Sequence, residues 1–293
     1  MTSAPPPARK ASASSPMAAL LRSVGETGFE PRRRKRLYIS GAAVLVVGIV
    51  LFLLVLASVT SGSGLALLDQ PSHDWLVAHR STAVTTVLEA ITTVSSPTYL
   101  TIIGIAFALL WAWRSRQLWR PGLLMAAMVG TVVLSAIVKH QVLRHRPPTG
   151  QMLMGPDDAF SFPSGHTMGA AVFLLVLSYL LLSRMAPPVT VLPWVIAAVV
   201  VVVGVLTVAL SRLYLGYHWF TDVTASVTLS LWILGLVMIV DSWRPLGRFG
   251  QQPHAGATVP QAGATVGQGV NAGQGTDLVP GTEDQNAAPQ VES

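Results

Sequence analysis

Residues 189–240 read VTVLPWVIAAVVVVVGVLTVALSRLYLGYHWFTDVTASVTLSLWILGLVMIV. Two apolar runs, Val189–Leu210 and Asp222–Val240, meet there at a short polar stretch, Ser211–Asp222. Each run has the length of about 20 residues that a helix needs to cross a bilayer core. The stretch between them, S-R-L-Y-L-G-Y-H-W-F-T-D, carries Arg212, His218 and Asp222. A charge at mid-bilayer costs about 2.5–3.5 kcal/mol on insertion scales, so ionisable groups beside such runs need a reason. His218 and Asp222 are four positions apart, which on a helical turn sets the carboxylate beside the imidazole. It can then hold one ring N–H and leave the other nitrogen as base, ligand or nucleophile. A buried structural ion pair at the head of a membrane helix accounts for the same residues, so the rest of the chain decides.

Composition supports the membrane reading. Of 293 residues, 51% are hydrophobic and 11% charged, against about a quarter charged in soluble domains. There is no cysteine, which excludes disulfides, thiolate catalysis and Cys-ligated metals. The net charge of +6 is a topology signal and does not point to nucleic acid.

Working outward, six spans are predicted, in an all-α polytopic bundle with disordered tails. Residues 1–36, rich in Pro, Ala, Ser and Arg and ending in Arg32–Arg36, read as a disordered basic tail. The long polar leader and the full-length apolar run after it argue against a cleavable signal peptide. Leu37–Val59 is the first span, Pro97–Trp113 the second, and Pro121–Val138 the third. His166–Leu182 is the fourth, and the two runs already quoted are the fifth and sixth. Between the first and second, Ser61–Ser96 is polar-mixed. Its Val84, Val87, Leu88 and Ile91 are at helical spacing, for an interfacial or packed helix that Glu89 keeps from being a span. Residues 37–243 form the membrane domain, and residues 244–293 a second disordered tail, low in large apolar residues after Arg248.

Orientation follows from the basic residues. With the N-terminus inside, the N-terminal tail plus Arg114, Arg116, Arg120, Arg184, Arg244 and Arg248 put fourteen of nineteen on the cytoplasmic side. Both termini are therefore expected in the cytoplasm. Lys139–His166 and Ser211–Asp222 then share the external face.

Three clusters meet on that face. Lys139 and Arg146, the latter followed by Pro147, are about two helical turns apart and share a direction if the third span continues outward. Pro163-Ser164-Gly165-His166 opens the fourth span, where unpaired backbone N–H groups beside a glycine make an anion site. Arg212, His218 and Asp222 are the third cluster. Cations and amides suit a phosphoryl group in transfer. Two histidines suit double displacement, one as nucleophile and one as proton donor. Two His and one Asp can also form a metal triad, but three adjacent cations disfavour a divalent ion, so no metal or other cofactor is expected.

K-x6-R-P at Lys139–Pro147, P-S-G-H at Pro163–His166 and S-R-x5-H-x3-D at Ser211–Asp222 resemble the three signature motifs of the type 2 phosphatidic acid phosphatase superfamily. That group includes lipid phosphate phosphatases, undecaprenyl pyrophosphate phosphatases and glucose-6-phosphatase. Each motif alone is weak, and the three in order are specific. The resemblance covers roughly residues 37–243. It implies that His218 attacks phosphorus to give a phosphohistidine, oriented by Asp222, while His166 protonates the leaving oxygen. It assigns Lys139, Arg146, Ser164, Gly165 and Arg212 to phosphate binding, with no metal.

The expected function is an integral membrane phosphatase acting on a phosphorylated lipid, monoester or pyrophosphate, at the outer face. A phosphotransferase using the same intermediate is the nearest alternative, and a non-catalytic transporter or scaffold the remote one. Several residues are read blandly. His140, Arg144 and His145 are taken as loop surface or lipid headgroup contacts, and Tyr214, Tyr217 and Trp219 as interfacial aromatics, with lining of the substrate entrance as their alternative. Asp157 and Asp158 are taken as turn residues, and His73, Asp74 and His79 as surface groups.

Overall fold

The computed structural model describes residues 29–185 and 191–243. Both expected tails lie mostly outside the described residues, as does part of the turn between the fourth and fifth spans. Among the described residues the secondary structure is helical throughout, and six helices are long and apolar enough to cross a membrane. In chain order the helices are α1 Pro31–Ser61, α2 Asp69–Ala78, α3 Thr82–Val94, α4 Pro97–Ser115, α5 Trp119–Val142, α6 Gly165–Leu182, α7 Leu192–Tyr214 and α8 Phe220–Trp243. The spans are α1 and α4 to α8. This is a multi-span membrane protein.

Local sequence explains several boundaries. Pro31 occupies the first turn of α1, where its missing N–H costs nothing. The helix therefore starts six residues before Leu37 and takes in the basic run Arg32–Arg36, part of the expected tail. Ser81 and Ser96 cap α3 and α4 through their side-chain oxygens. At 13 residues, α3 rises only about 20 Å, too short to span. Its Leu88 and Thr92 are buried, as expected of a packed helix.

In hydrocarbon, apolar burial does not drive helices together, so packing and interhelical hydrogen bonds must. The bundle centres on α6 and α8, whose most apolar windows are 50% and 56% buried, against 17% for α1, α4 and α7. Helix α1 lies along α8 at backbone distance. A Cβ added at Gly235 would sit 2.6 Å from the Leu45 nitrogen and 2.7 Å from the Gly41 oxygen, so both glycines are needed for that approach. Phe162, Leu124, Met168, Val172, Val176, Leu180 and Leu229 fill the centre with no exposure. The lipid side of α7 presents Val195, Ile196, Val199, Val202, Val203 and Leu206.

Polar groups gather at the two ends of the bundle. At one end, buried Asp241 accepts from Trp119 Nε1 at 2.8 Å, Tyr179 Oη at 2.9 Å and Arg184 Nη2 at 3.2 Å. All three sequence motifs stand at the other.

Candidate active site

The first motif is built differently from its sequence reading. Helix α5 does not carry on to Arg146. It ends at Val142, and Leu143 adopts the left-handed conformation (φ 53°), its N–H closing on the Lys139 carbonyl at 3.0 Å. Beyond it the chain runs extended, with Arg144 and Arg146 directed inward and His145 exposed between them, the period-two alternation of an extended strand. Lys139 stays in the last turn of α5 and donates to the Phe160 carbonyl. Arg146 donates to the Ala159 carbonyl at 2.7 Å through Nε and to the Tyr217 carbonyl at 2.7 Å through Nη1. Its Nη2 pairs with Asp157 at 2.7 Å.

The third motif is a tight turn between α7 and α8. Gly216 makes it possible, with φ +84° and no room for a side chain: a Cβ would stand 2.5 Å from the Gln151 oxygen. His218 follows in that turn, 2% exposed. Its Nδ1 is 3.3 Å from Asp222 Oδ2 and its Nε2 is 3.2 Å from Arg146 Nη1. The ring is thus held between a carboxylate and a cation; the carboxylate is the one expected from the four-residue spacing, although His218 stands in the turn before α8 and not on the helix. Asp222, fully buried in the first turn of α8, also accepts the Trp219 N–H at 2.9 Å. Arg212, in the last turn of α7, is 4% exposed and donates to Thr92 of α3 at 2.8 Å. Its guanidinium lies 4.3 Å from the centre of the Tyr217 ring.

Ser164 and His166 come from the start of α6. Ser164 is the N-cap residue, fully buried, and its hydroxyl accepts from Thr167 at 3.1 Å. The amides of Gly165 and His166 have no acceptor within the helix, as at any helix start. His166 is half-buried, on the side of the site where Arg212, Arg146, Lys139 and His218 lie within electrostatic reach. The eight residues singled out in the sequence therefore converge at one end of the bundle.

Burial, with the charges of Arg212, Arg146 and Lys139, holds the His218 imidazole well below the usual histidine range; a hydrogen bond with the Ser161 backbone acts the other way. The resting ring is neutral. With Nδ1–H donated to Asp222, the Nε2 lone pair faces the cations. Among the described residues, no group of three or more His, Asp or Glu could hold a metal ion.

Several bland readings fail. Arg144 is not loop surface: Nη1 bonds Asp222 Oδ1 and Nη2 bonds Asp69 Oδ2, each at 2.6 Å. Asp157 is more than a turn residue, since it pairs with Arg146. His73 is 3% exposed, bonded to Gln151 and packed on Trp219 with ring centres 5.4 Å apart. Tyr214 and Tyr217 are buried within the protein: Tyr214 Oη accepts the Ser81 N–H at 2.7 Å and Tyr217 Oη donates to the Gly155 carbonyl at 2.7 Å. His140 and His145 are exposed, as read.

A family model described as the PAP2 superfamily matches residues 119–245. Phosphatidylglycerophosphatase B of Bacillus subtilis is 31% identical over 198 residues, 65% of this chain and 92% of that protein. The chain belongs to the PAP2 superfamily. A solved structure, of a transmembrane PAP2-type phosphatidylglycerolphosphate phosphatase from Bacillus subtilis, superposes with a TM-score of 0.58 at 25% identity. It covers 65% of this chain and 94% of its own. As a PAP2 protein the chain is a phosphatase, and its three motifs fall within or beside the ends of α5, α6, α7 and α8.

Proposed function

We propose that this PAP2 protein hydrolyses the phosphate of a membrane lipid at the external face, through a phosphohistidine on His218. The observation that carries this is the clamped imidazole, 3.3 Å from Asp222 on one nitrogen and 3.2 Å from Arg146 on the other. Substrate phosphate takes over Lys139, Arg146 and Arg212 from the carbonyls, Asp157 and Thr92 that hold them at rest, and meets Ser164 and the Gly165 amide. His218 Nε2 forms a bond to phosphorus while the bond to the lipid oxygen breaks, and protonated His166 gives that oxygen its proton. His166 then takes a proton from water, which attacks phosphorus and breaks the P–N bond. Fixed donors aimed at the phosphoryl oxygens supply charge stabilisation, and three cations stand where a metal would otherwise act.

A lipid substrate is supported by an apolar groove of about 600 Å³ lined by Ala90, Ile91, Leu100, Phe173, Leu174 and Val208, among others. Ala170, Phe173 and Leu174 continue the α6 face that carries His166, and Gly204 and Val208 the α7 face that carries Arg212. An acyl chain lying there brings its headgroup to the cations. The similarity to a phosphatidylglycerophosphatase favours a diacyl lipid phosphate monoester over an isoprenoid pyrophosphate. The external face is supported by the bias of basic residues.

The test is purified protein offered phosphatidylglycerol phosphate, phosphatidic acid and undecaprenyl pyrophosphate, with and without EDTA, scored by phosphate release. Monoester hydrolysis indifferent to EDTA and abolished by His218→Ala is expected. Turnover that survives His218→Ala overturns the mechanism. A reporter fused after Pro148 should be external and one after Arg116 cytoplasmic, and the reverse would put the site inside.

A further inference from the structure

Asp222 faces His218 with one oxygen only. Its other oxygen, Oδ1, accepts from Arg144 Nη1 at 2.6 Å, and the same nitrogen bonds Thr221 Oγ1 at 2.6 Å. The second arm of that guanidinium, Nη2, bonds Asp69 Oδ2 at 2.6 Å. Asp69 returns to the turn at the head of α8: its Oδ1 accepts the Thr221 N–H at 2.8 Å, and its Oδ2 accepts the Thr221 hydroxyl at 2.8 Å. Two carboxylates, one 5% exposed and the other fully buried, share one guanidinium.

That arrangement has an electrostatic consequence. A buried carboxylate needs a compensating cation. A guanidinium belonging to Asp222 alone would cancel most of the charge the carboxylate presents to the imidazole. Asp69 draws on the same guanidinium from the far side, so Asp222 keeps more negative charge for His218. The planar fork of arginine can span two carboxylates in this way, whereas an ammonium cannot hold the same geometry. Asp69 stands at the first residue of α2, in the segment between the first two spans. The relay therefore gives that segment a part in the chemistry.

We propose that Asp69 and Arg144 are positioning residues: a carboxylate–guanidinium–carboxylate relay that orients Asp222 and sets the charge it presents to the nucleophile. The proposal rests on His218 being that nucleophile. Neither residue is placed among the phosphate-binding groups, so their loss is expected in kcat and leaves KM and the affinity for inorganic phosphate, a ground-state ligand, in place. Groups that orient metal ligands from behind typically carry about 10- to 100-fold, and by analogy Asp69→Asn is expected in that range. Arg144→Gln costs more. Arg144→Lys, which keeps the charge without the fork, recovers little.

The experiment is a double-mutant cycle in detergent-purified protein, read as kcat, KM and inhibition by inorganic phosphate with nitrophenyl phosphate as substrate. Asp69→Asn, Asp222→Asn and the double variant are compared, each beside a melting curve. If Asp69 acts through Asp222, its substitution costs at least about tenfold in wild type and less than about twofold in the Asp222→Asn background. Full additivity overturns the relay, as does a loss that falls in KM or in the affinity for inorganic phosphate. Should Asp69→Asn fail to yield folded protein, Thr221→Val, which removes the bridging hydroxyl and no charge, is run through the same cycle under the same criteria. His218→Ala serves as the separate control. Turnover without His218 fails the mechanism itself, whereas an inactive His218→Ala beside a fully active Asp69→Asn fails only the relay.

Discussion

Arg146 and Asp157 form an ion pair at 2.7 Å, and the same guanidinium stands 3.2 Å from His218. The carboxylate thus occupies an arm of the fork that an incoming phosphate would claim. Asp157 is 36% exposed at its side chain, and a pair that open to water is worth about 0.2–1 kcal/mol, or at most about fivefold in binding. Asp157→Asn should therefore tighten vanadate inhibition by roughly two- to fivefold with kcat unchanged. Weaker vanadate binding in that variant would make Asp157 a support for Arg146 instead of its competitor.

Gly216 and Gly62 both have left-handed backbones, at φ +84° and +63°, but only Gly216 is crowded, by the Gln151 oxygen and by Arg80 Nη2 at 3.0 Å. Nothing lies within 4 Å of a Cβ at Gly62. Gly216→Ala should lose on the order of 1–3 kcal/mol from backbone strain, with more from the clash. Since His218 is two residues further on, kcat should fall with stability. Gly62→Ala should melt slightly earlier and keep full activity. Melting temperature and turnover of the two variants, measured side by side, separate local distortion at the site from a generic glycine effect.

What the sequence made legible here was whatever is periodic or local. The spans follow from runs of apolar residues, and His218 with Asp222 from a spacing of four. Lys139, Arg146, Ser164, His166 and Arg212 are found through motifs whose residues are near neighbours. Asp69 was not legible, because its partner Thr221 is 152 residues away and nothing local marks it. Arg144 did leave a trace: it sits two positions before Arg146, and an extended chain turns both inward. That cue was hidden by expecting α5 to continue, when Leu143 breaks it. Tyr214 and Tyr217 read as interfacial because aromatics at a span end usually are. Burial instead follows from hydroxyl partners supplied by Ser81 and Gly155, both distant in sequence.

The neutral state of His218 gives a pH dependence with a definite sign. Burial, with Arg212, Arg146 and Lys139, lowers its proton affinity in the folded protein, while the unfolded chain returns it to about 6.5. Below that value the unfolded state takes up a proton that the folded state does not, so stability falls as pH drops and is unaffected above it. Wild type should lose melting temperature between about pH 7.5 and pH 5.5. His218→Asn, which has no such proton to bind, should lose less. Equal losses in the two proteins would mean that His218 is accessible to protons in the folded state.

The two histidines should separate by leaving group. On the proposed mechanism His218 makes the covalent bond, so His218→Ala should abolish turnover of every substrate, whatever departs. On the same mechanism His166 would supply a proton, and the value of that proton depends on the oxygen receiving it. A lipid alkoxide leaves badly without protonation, and losing a general acid costs about 10²–10⁴ in rate. Nitrophenolate leaves unaided, so His166→Ala should hydrolyse nitrophenyl phosphate with a much smaller deficit. If His166 also deprotonates the attacking water, that variant should accumulate phosphoenzyme with nitrophenyl phosphate, visible as a burst of nitrophenolate followed by slow turnover. If Asp222 orients and polarises His218 as proposed, Asp222→Asn should slow both substrates alike. Equal losses on both substrates for His166→Ala would remove the acid role from His166 and leave it a phosphate contact.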